Sequence, residues 1–238
     1  MSIPAFFARC LNKRLIAPGV YELRLQKPEG FTFLPGQFVL FDVPASGNPQ
    51  DVQTRAYSIA SAPSEEDLLF VIKLVPRGRA SMWIEERVEP GMTISFKGPF
   101  GALLLDRKTD KPYLFIATGT GIAPFRSHIL WSLEESHDTR PMHLIAGVVK
   151  RRDFFWEDQW KALEAEYPNL HAHASFLSGE PDWHVETGSV QERIRRIVKD
   201  PSNVSVYICG ATEMVNNVQN LCHILGIPEQ NIHTERYM

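Results

Sequence analysis

The rhythm of apolar residues changes once along this 238-residue chain, and that change constrains its fold more than any other feature. Up to about residue 100, short β-rich runs are broken by Pro and Gly. Residues 20–25 alternate with period two, 37–43 form a compact apolar run after Pro35 and Gly36, and 68–75 and 93–96 are similar. Many short strands with turn punctuation predict an antiparallel barrel or sandwich. One helical stretch, 79–87, interrupts them. From residue 111 the signal alternates. Apolar strands are predicted at 113–117, 142–149, 170–176, 204–209 and 231–237, with helical runs up to 135 and at 157–166, 189–198 and 213–225. Such alternation predicts βαβ units and a parallel sheet. The polar stretch 106–110 marks the boundary.

A chain that is 44% hydrophobic and 22% charged can bury a real core. Its net charge of −3 gives no basic excess for nucleic-acid binding. No apolar run is long enough to span a bilayer, and the N-terminus lacks the pattern of a signal peptide. Cys10, Cys209 and Cys222 are widely spaced and odd in number, which argues against a disulfide framework and for the cytoplasm. Three scattered thiols also cannot hold a ferredoxin-type cluster. His171 and His173 share one strand face, but no further ligands at metal-binding spacing accompany them, so no metal site is expected.

Gly119, Thr120, Gly121, Ile122, Ala123 and Pro124 stand between a predicted buried strand and a helix. Glycines let the backbone turn sharply and approach a ligand. The helix start offers unpaired N–H groups and the positive end of its dipole to a phosphate. Pro124 suits a first helical turn. A lone Gly-x-Gly is more often a plain strand-to-helix turn, so its neighbours must decide.

Those neighbours occur in a telling order: Arg55-Ala56-Tyr57-Ser58, Gly78-Arg79-Ala80-Ser81, Gly98-Pro99-Phe100-Gly101, the loop Gly119 to Pro124, Cys209-Gly210 with Met214, and the terminal Glu235-Arg236-Tyr237-Met238. In this the chain resembles the ferredoxin–NADP reductase superfamily over nearly its whole length, as a stand-alone member without an iron–sulfur domain. The resemblance implies a six-stranded antiparallel flavin-binding β-barrel (1–105), then a doubly wound five-stranded parallel-sheet NAD(P)-binding domain (106–238). It implies FAD, by family frequency over FMN, with NADPH or NADH as hydride donor.

It also assigns roles. Arg55 would meet the flavin phosphates and Tyr57 would stack on the flavin ring, both from one strand face. Ala56 belongs to the same motif. Ser58 would hydrogen-bond the reactive edge of the ring. Gly78, Ala80 and Ser81 would bind a flavin phosphate at a helix start, where an ordinary Ser81 N-cap is the plainer alternative. Gly119, Thr120, Gly121 and Pro124 become the pyrophosphate loop of the nicotinamide. Cys209, with Gly210 and Met214, would lie beside the reactive nicotinamide carbon as a positioning thiol, whereas Cys10 and Cys222 read as buried hydrophobes. Glu235 would assist proton transfer and Tyr237 would cover the flavin, although Met238 extends the usual terminus by one residue.

A 2′-phosphate needs basic partners. Lys150, Arg151 and Arg152 after the second parallel strand favour NADPH. Gly179 after the third strand, where NADPH-using relatives often carry Arg, favours NADH. The two signals balance. The acceptor is expected to be a separate protein: a ferredoxin, a flavodoxin or an oxygenase component. A free-flavin reductase that releases its reduced flavin is the alternative, and flavin retained stoichiometrically on gel filtration would count against it. A non-catalytic redox-regulatory subunit, the third possibility, would neither take up flavin nor oxidise NAD(P)H.

Overall fold

The computed structural model describes residues 4–176 and 189–237. Its first half is a six-stranded antiparallel sheet: β1 (Ala5–Ala17), β2 (Val20–Gln26), β3 (Phe38–Ala45), β4 (Asn48–Ser58), β5 (Asp67–Lys73) and β6 (Thr93–Phe100), in the order β4-β3-β6-β1-β2-β5. Just beyond β4, the Ala60 N–H donates to the Leu69 carbonyl of β5 at 2.8 Å and brings the two outer strands together. Alternate residues point inward, and Leu23, Leu25, Val39, Phe41, Phe70, Ile72 and Phe96 form the core. Helix α1 (Arg79–Glu86) adds Trp83 and Ile84 to it.

Two of these strands lack the periodicity that reveals a strand. β1 mixes Arg9, Asn12, Lys13 and Arg14 with its apolar residues and carries two register shifts against β2. In β4, every residue from 48 to 56 is exposed, so its sequence carries no inside–outside alternation. Its register comes instead from pairing with β3, Arg55 opposite Phe41 and Tyr57 opposite Val39.

The second half is a five-stranded parallel sheet: β7 (Tyr113–Thr118), β8 (Met142–Val148), β9 (Leu170–Phe176), β10 (Ser205–Ala211) and β11 (Ile232–Tyr237), in the order β11-β10-β7-β8-β9. β7 is buried on both faces, as its unbroken apolar run requires. Tyr113, Phe115 and Ala117 pack with Phe125 and Ile129 of α2 (Ile122–Leu130) and Trp160 of α3 (Glu157–Glu166). Leu114 and Ile116 pack with Ile194 of α4 (Val190–Ile197) and Val218 of α5 (Thr212–Ile224). The sheet is therefore doubly wound. After α2 the predicted helical run continues as a π-helical turn, Trp131–Glu135. None of the described helices is long and apolar enough to cross a membrane.

The α2/α3 core extends into the first half through Ala60, Ala62, Leu69, Val71 and Leu103. At this seam His128 of α2 donates from Nε2 to the Leu103 carbonyl at 2.8 Å, and burial holds its pKa down to about 3, so the ring is neutral. The winding reverses between β7 and β10. In such sheets ligands bind beyond the carboxyl ends of the strands at that reversal.

Candidate functional site

At the β7–β10 crevice two turns press against each other. A Cβ on Gly121 would lie 2.2 Å from the Cys209 carbonyl oxygen, so only glycine lets α2 start so close to β10. A Cβ on Gly210, at φ +146°, would lie 2.4 Å from Thr118 Oγ1 and 3.0 Å from the Met214 methyl. Gly119 differs: its φ of +53° is left-handed, and nothing among the described residues lies within 4 Å of its Cβ position. Thr120 is half-buried at the lip, and Pro124 is buried in the first turn of α2. Among the described residues, no side chain caps the starts of α2 and α5, and the buried Thr118 Oγ1 has no hydrogen-bond partner. Uncapped amides, a glycine-lined hollow and an orphan hydroxyl suit a pyrophosphate.

The second cluster lies where the two halves meet. Buried Ser58, at the end of β4, donates to Glu235 Oε1 at 3.3 Å, and the Tyr237 hydroxyl lies 2.7 Å from Ser58 Oγ. With the Ser58 proton on Glu235, Tyr237 is the donor. Glu235 pairs with Cys209 across β10 and β11, and the Cys209 thiol is 4.0 Å from Glu235 Oε1. All four candidate catalytic residues, up to 179 positions apart, thus meet in one cluster. Burial, and then the charge of Glu235, pushes the Cys209 thiol far above its ordinary range. It remains a thiol, which suits positioning rather than attack. Burial raises the Tyr237 phenol, helped by Cys209 and Glu235. Burial also raises the Glu235 carboxyl, while the Ser58 hydrogen bond pulls it back.

The first half contributes an open strand face. Arg55 is exposed and turns to the Thr54 carbonyl at 2.8 Å and Gln53 Oε1 at 2.9 Å; Ala56 is exposed beside it. Tyr57 is half-buried with its ring 5.0 Å from Phe41, and burial pushes its hydroxyl up to about 12 against the pull of Arg55. Gly78, not Ser81, is the N-cap of α1. Ser81 lies inside the first turn with Ala80, both buried, and its hydroxyl accepts the Val75 N–H at 2.7 Å. The plain-cap alternative for Ser81 is therefore wrong, because the helix begins two residues before it.

Two residues here were given no role by the sequence reading, Asp51 and Arg79, although Arg79 stands within the motif Gly78-Arg79-Ala80-Ser81. Arg79 grips Asp51 with a fork, both Nη–Oδ distances being 3.0 Å, and ties α1 to β4. Asp51, Gln53, Arg55 and Tyr57 share one strand face by parity. Once β4 is known, that parity could have found Asp51.

Lys150, Arg151 and Arg152 lie apart from this cluster, in a turn beyond β8 (Arg151–Asp153). With Phe154 and Glu157 they line a surface hollow, and Arg151 pairs with Glu157 at 3.2 Å. Gly179 lies outside the described residues. His171 and His173 stack with His143 of β8 at 5.0 and 5.8 Å, and burial, with His171, holds His143 down to about 4. No metal-ligand group of three occurs among the described residues. Cys10 and Cys222 are buried, and no cysteine is in a disulfide.

Residues 14–104 match the family described as Oxidoreductase FAD-binding domain, and residues 115–220 match the one described as Oxidoreductase NAD-binding domain. Fold and site together thus define an FAD- and nicotinamide-binding oxidoreductase. Ferredoxin–NADP reductase B of Sorangium cellulosum (strain So ce56) is 32% identical over 98% of this chain and 97% of its own length. The toluate 1,2-dioxygenase electron transfer component of Pseudomonas putida is 31% identical over 96% of this chain, which spans 65% of that relative. The solved structure of Amycolatopsis cytochrome P450 reductase GcoB has a TM-score of 0.88 at 25% identity, covering 99% of this chain and 71% of that one. The chain belongs to the ferredoxin–NADP reductase family.

Proposed function

We propose that this enzyme takes a hydride from NADPH or NADH onto bound FAD and hands electrons to a separate acceptor protein: a ferredoxin, a flavodoxin or an oxygenase component. One observation carries the reading: Ser58, from the half that matches the FAD-binding family, meets Cys209, Glu235 and Tyr237, from the nicotinamide half, in a single partly buried cluster. Bound FAD supplies a ring that accepts a hydride and releases electrons singly. The chain supplies the rest. Gly119, Gly121 and the uncapped start of α2 hold the dinucleotide pyrophosphate. Cys209 orients the nicotinamide end, and Tyr237 and Ser58 exclude water. Glu235 and Ser58 move a proton between Oε1 and Oγ. Tyr57 and Arg55, with the α1 start at Gly78, Ala80 and Ser81, hold the flavin. The division at residues 105 and 106 and a cytoplasmic location, which suits three unpaired cysteines, belong to the same reading.

Purification followed by identification of the bound flavin and anaerobic titration tests this directly. The expected result is retained FAD that bleaches with NADPH or NADH and regains colour with an oxidised ferredoxin. A chain that takes up no flavin would overturn the reading.

The Lys150–Arg152 turn is the candidate 2′-phosphate site. Replacing all three residues with Gln is expected to raise the NADPH KM by roughly tenfold or more, the loss of one charge-assisted hydrogen bond or more. The NADH KM should not move. An unchanged NADPH KM would remove the turn from the site.

A further inference from the structure

Arg126 is charged and only 4% exposed. It projects from α2, five residues after Gly121, across the seam into the first half. Its Nη1 donates to the Ala60 carbonyl at 2.8 Å and to Glu65 Oε2 at 2.7 Å, and its Nη2 to Glu65 Oε1 at 3.1 Å. Its Nε donates to Gln159 Oε1 of α3 at 3.0 Å, and Trp156 lies 5.5 Å from its guanidinium carbon. Glu65 in turn accepts the Ala62 N–H at 2.7 Å. One planar fork therefore holds the backbone on both sides of residue 61.

That backbone belongs to the Ser58 strand end. Ala60 is two residues past Ser58, and the Ile59 N–H between them is fixed to the Gln37 carbonyl at 2.9 Å. At its other end Arg126 is rigidly joined, through α2, to Gly119 and Gly121. A continuous path thus runs from the glycine loop through α2 and the guanidinium to Ser58. Stability alone does not explain it. Burying a guanidinium carries a large desolvation cost, and apolar side chains of similar volume often fill such sites as well or better. What an apolar side chain cannot supply is direction, which a planar donor fork does.

We propose that Arg126 is a positioning residue for hydride transfer: it fixes the separation between the nicotinamide loop and the flavin-side Ser58. This rests on the functional reading above. Small misplacements of reacting atoms cost large factors in rate while leaving binding intact.

The test uses the full FAD-loaded chain, with Arg126→Lys, Glu65→Gln and, as a control, Trp156→Phe. The control keeps an aromatic ring beside the guanidinium but removes a different contact across the seam, the Trp156 Nε1 donation to Glu22 Oε2 at 2.7 Å. Anaerobic stopped-flow reduction with 4-deuterated and unlabelled NADPH and NADH separates dinucleotide affinity from the limiting transfer rate. Hydrogen–deuterium exchange over residues 58–62 reports the geometry without turnover.

Arg126→Lys is expected to slow the limiting rate by about 100-fold with affinity within about threefold, and Glu65→Gln by about tenfold. Both should speed exchange over 58–62. Trp156→Phe should leave the rate and that exchange near wild type. If Arg126→Lys fails to fold, Glu65→Gln against Trp156→Phe decides. Wild-type rates in Glu65→Gln and Arg126→Lys, or equal slowing by Trp156→Phe, overturn the proposal. A wild-type flavin that neither dinucleotide reduces overturns the functional reading itself.

Discussion

Gly121→Ala is expected to destabilise the protein by about 3 kcal/mol, as overpacking a rigid contact does, and to lower its melting temperature by roughly 6–12 °C at this chain length. The added Cβ would sit 2.2 Å from the Cys209 carbonyl oxygen, 2.6 Å from its carbon and 2.9 Å from the Gly210 Cα. All three atoms are backbone in or beside a buried central strand, so no side-chain rotation relieves the contact. The start of α2 must move away from β10, taking with it the amides that face the crevice. NAD(P)H reduction of the flavin should fall with stability, while flavin content, set by the other half, should persist.

Gly119→Ala supplies the contrast. Its Cβ meets nothing within 4 Å among the described residues, so the change costs only the left-handed backbone, about 1–2 kcal/mol. Differential scanning calorimetry with flavin absorbance on the same samples separates the two. A Gly121→Ala protein that melts with Gly119→Ala, or above it, would show that α2 does not need the close approach.

These glycines show how far the sequence could be read. That residues 119 and 121 needed glycine was legible from their place between an apolar strand and a helix. The reasons were not. One position needs a left-handed φ and open space, the other needs a hydrogen where a carbonyl approaches, and no local pattern separates them. The parallel sheet was legible because β7 and β10 are buried on both faces and read as unbroken apolar runs. β1 and most of β4 were not, since exposed strands paired at a sheet edge or interrupted by charges carry no period. The resemblance supplied Ser58, Cys209, Glu235 and Tyr237 individually, and three-dimensional pairing supplied their meeting. Arg126 and Glu65 had no signal at all: Arg126 reads as an ordinary helix cation, and its partners in the first half, Ala60 and Glu65, lie more than 60 positions away.

Glu235→Gln is expected to slow the proton-coupled step of the reaction by about 10²–10⁴-fold, the usual worth of a positioned acid or base, and to erase one limb of its pH profile. Burial raises this carboxyl in the fold above its ordinary value of about 4.3. Its contribution to stability is therefore fully present below that ordinary value, and is lost as pH rises through the raised, folded value. Above that window the Gln variant should be the more stable protein, since it never has to bury the charge. The activity limb runs the same way. The carboxyl can donate only while protonated, so the step it serves declines as pH climbs through the folded pKa. Ser58 adds a check on the assignment. Its hydroxyl donates to Glu235 and stabilises the charged form, pulling the pKa down. Ser58→Ala should accordingly move the limb to higher pH as well as slow the step, whereas Glu235→Gln should remove it. Melting curves and single-turnover rates between pH 5 and 9 distinguish these outcomes. A limb that stays put in Ser58→Ala and survives in Glu235→Gln would assign the proton to another group, and of the neighbours Tyr237, hydrogen-bonded to the same Ser58 oxygen, would be the first to test.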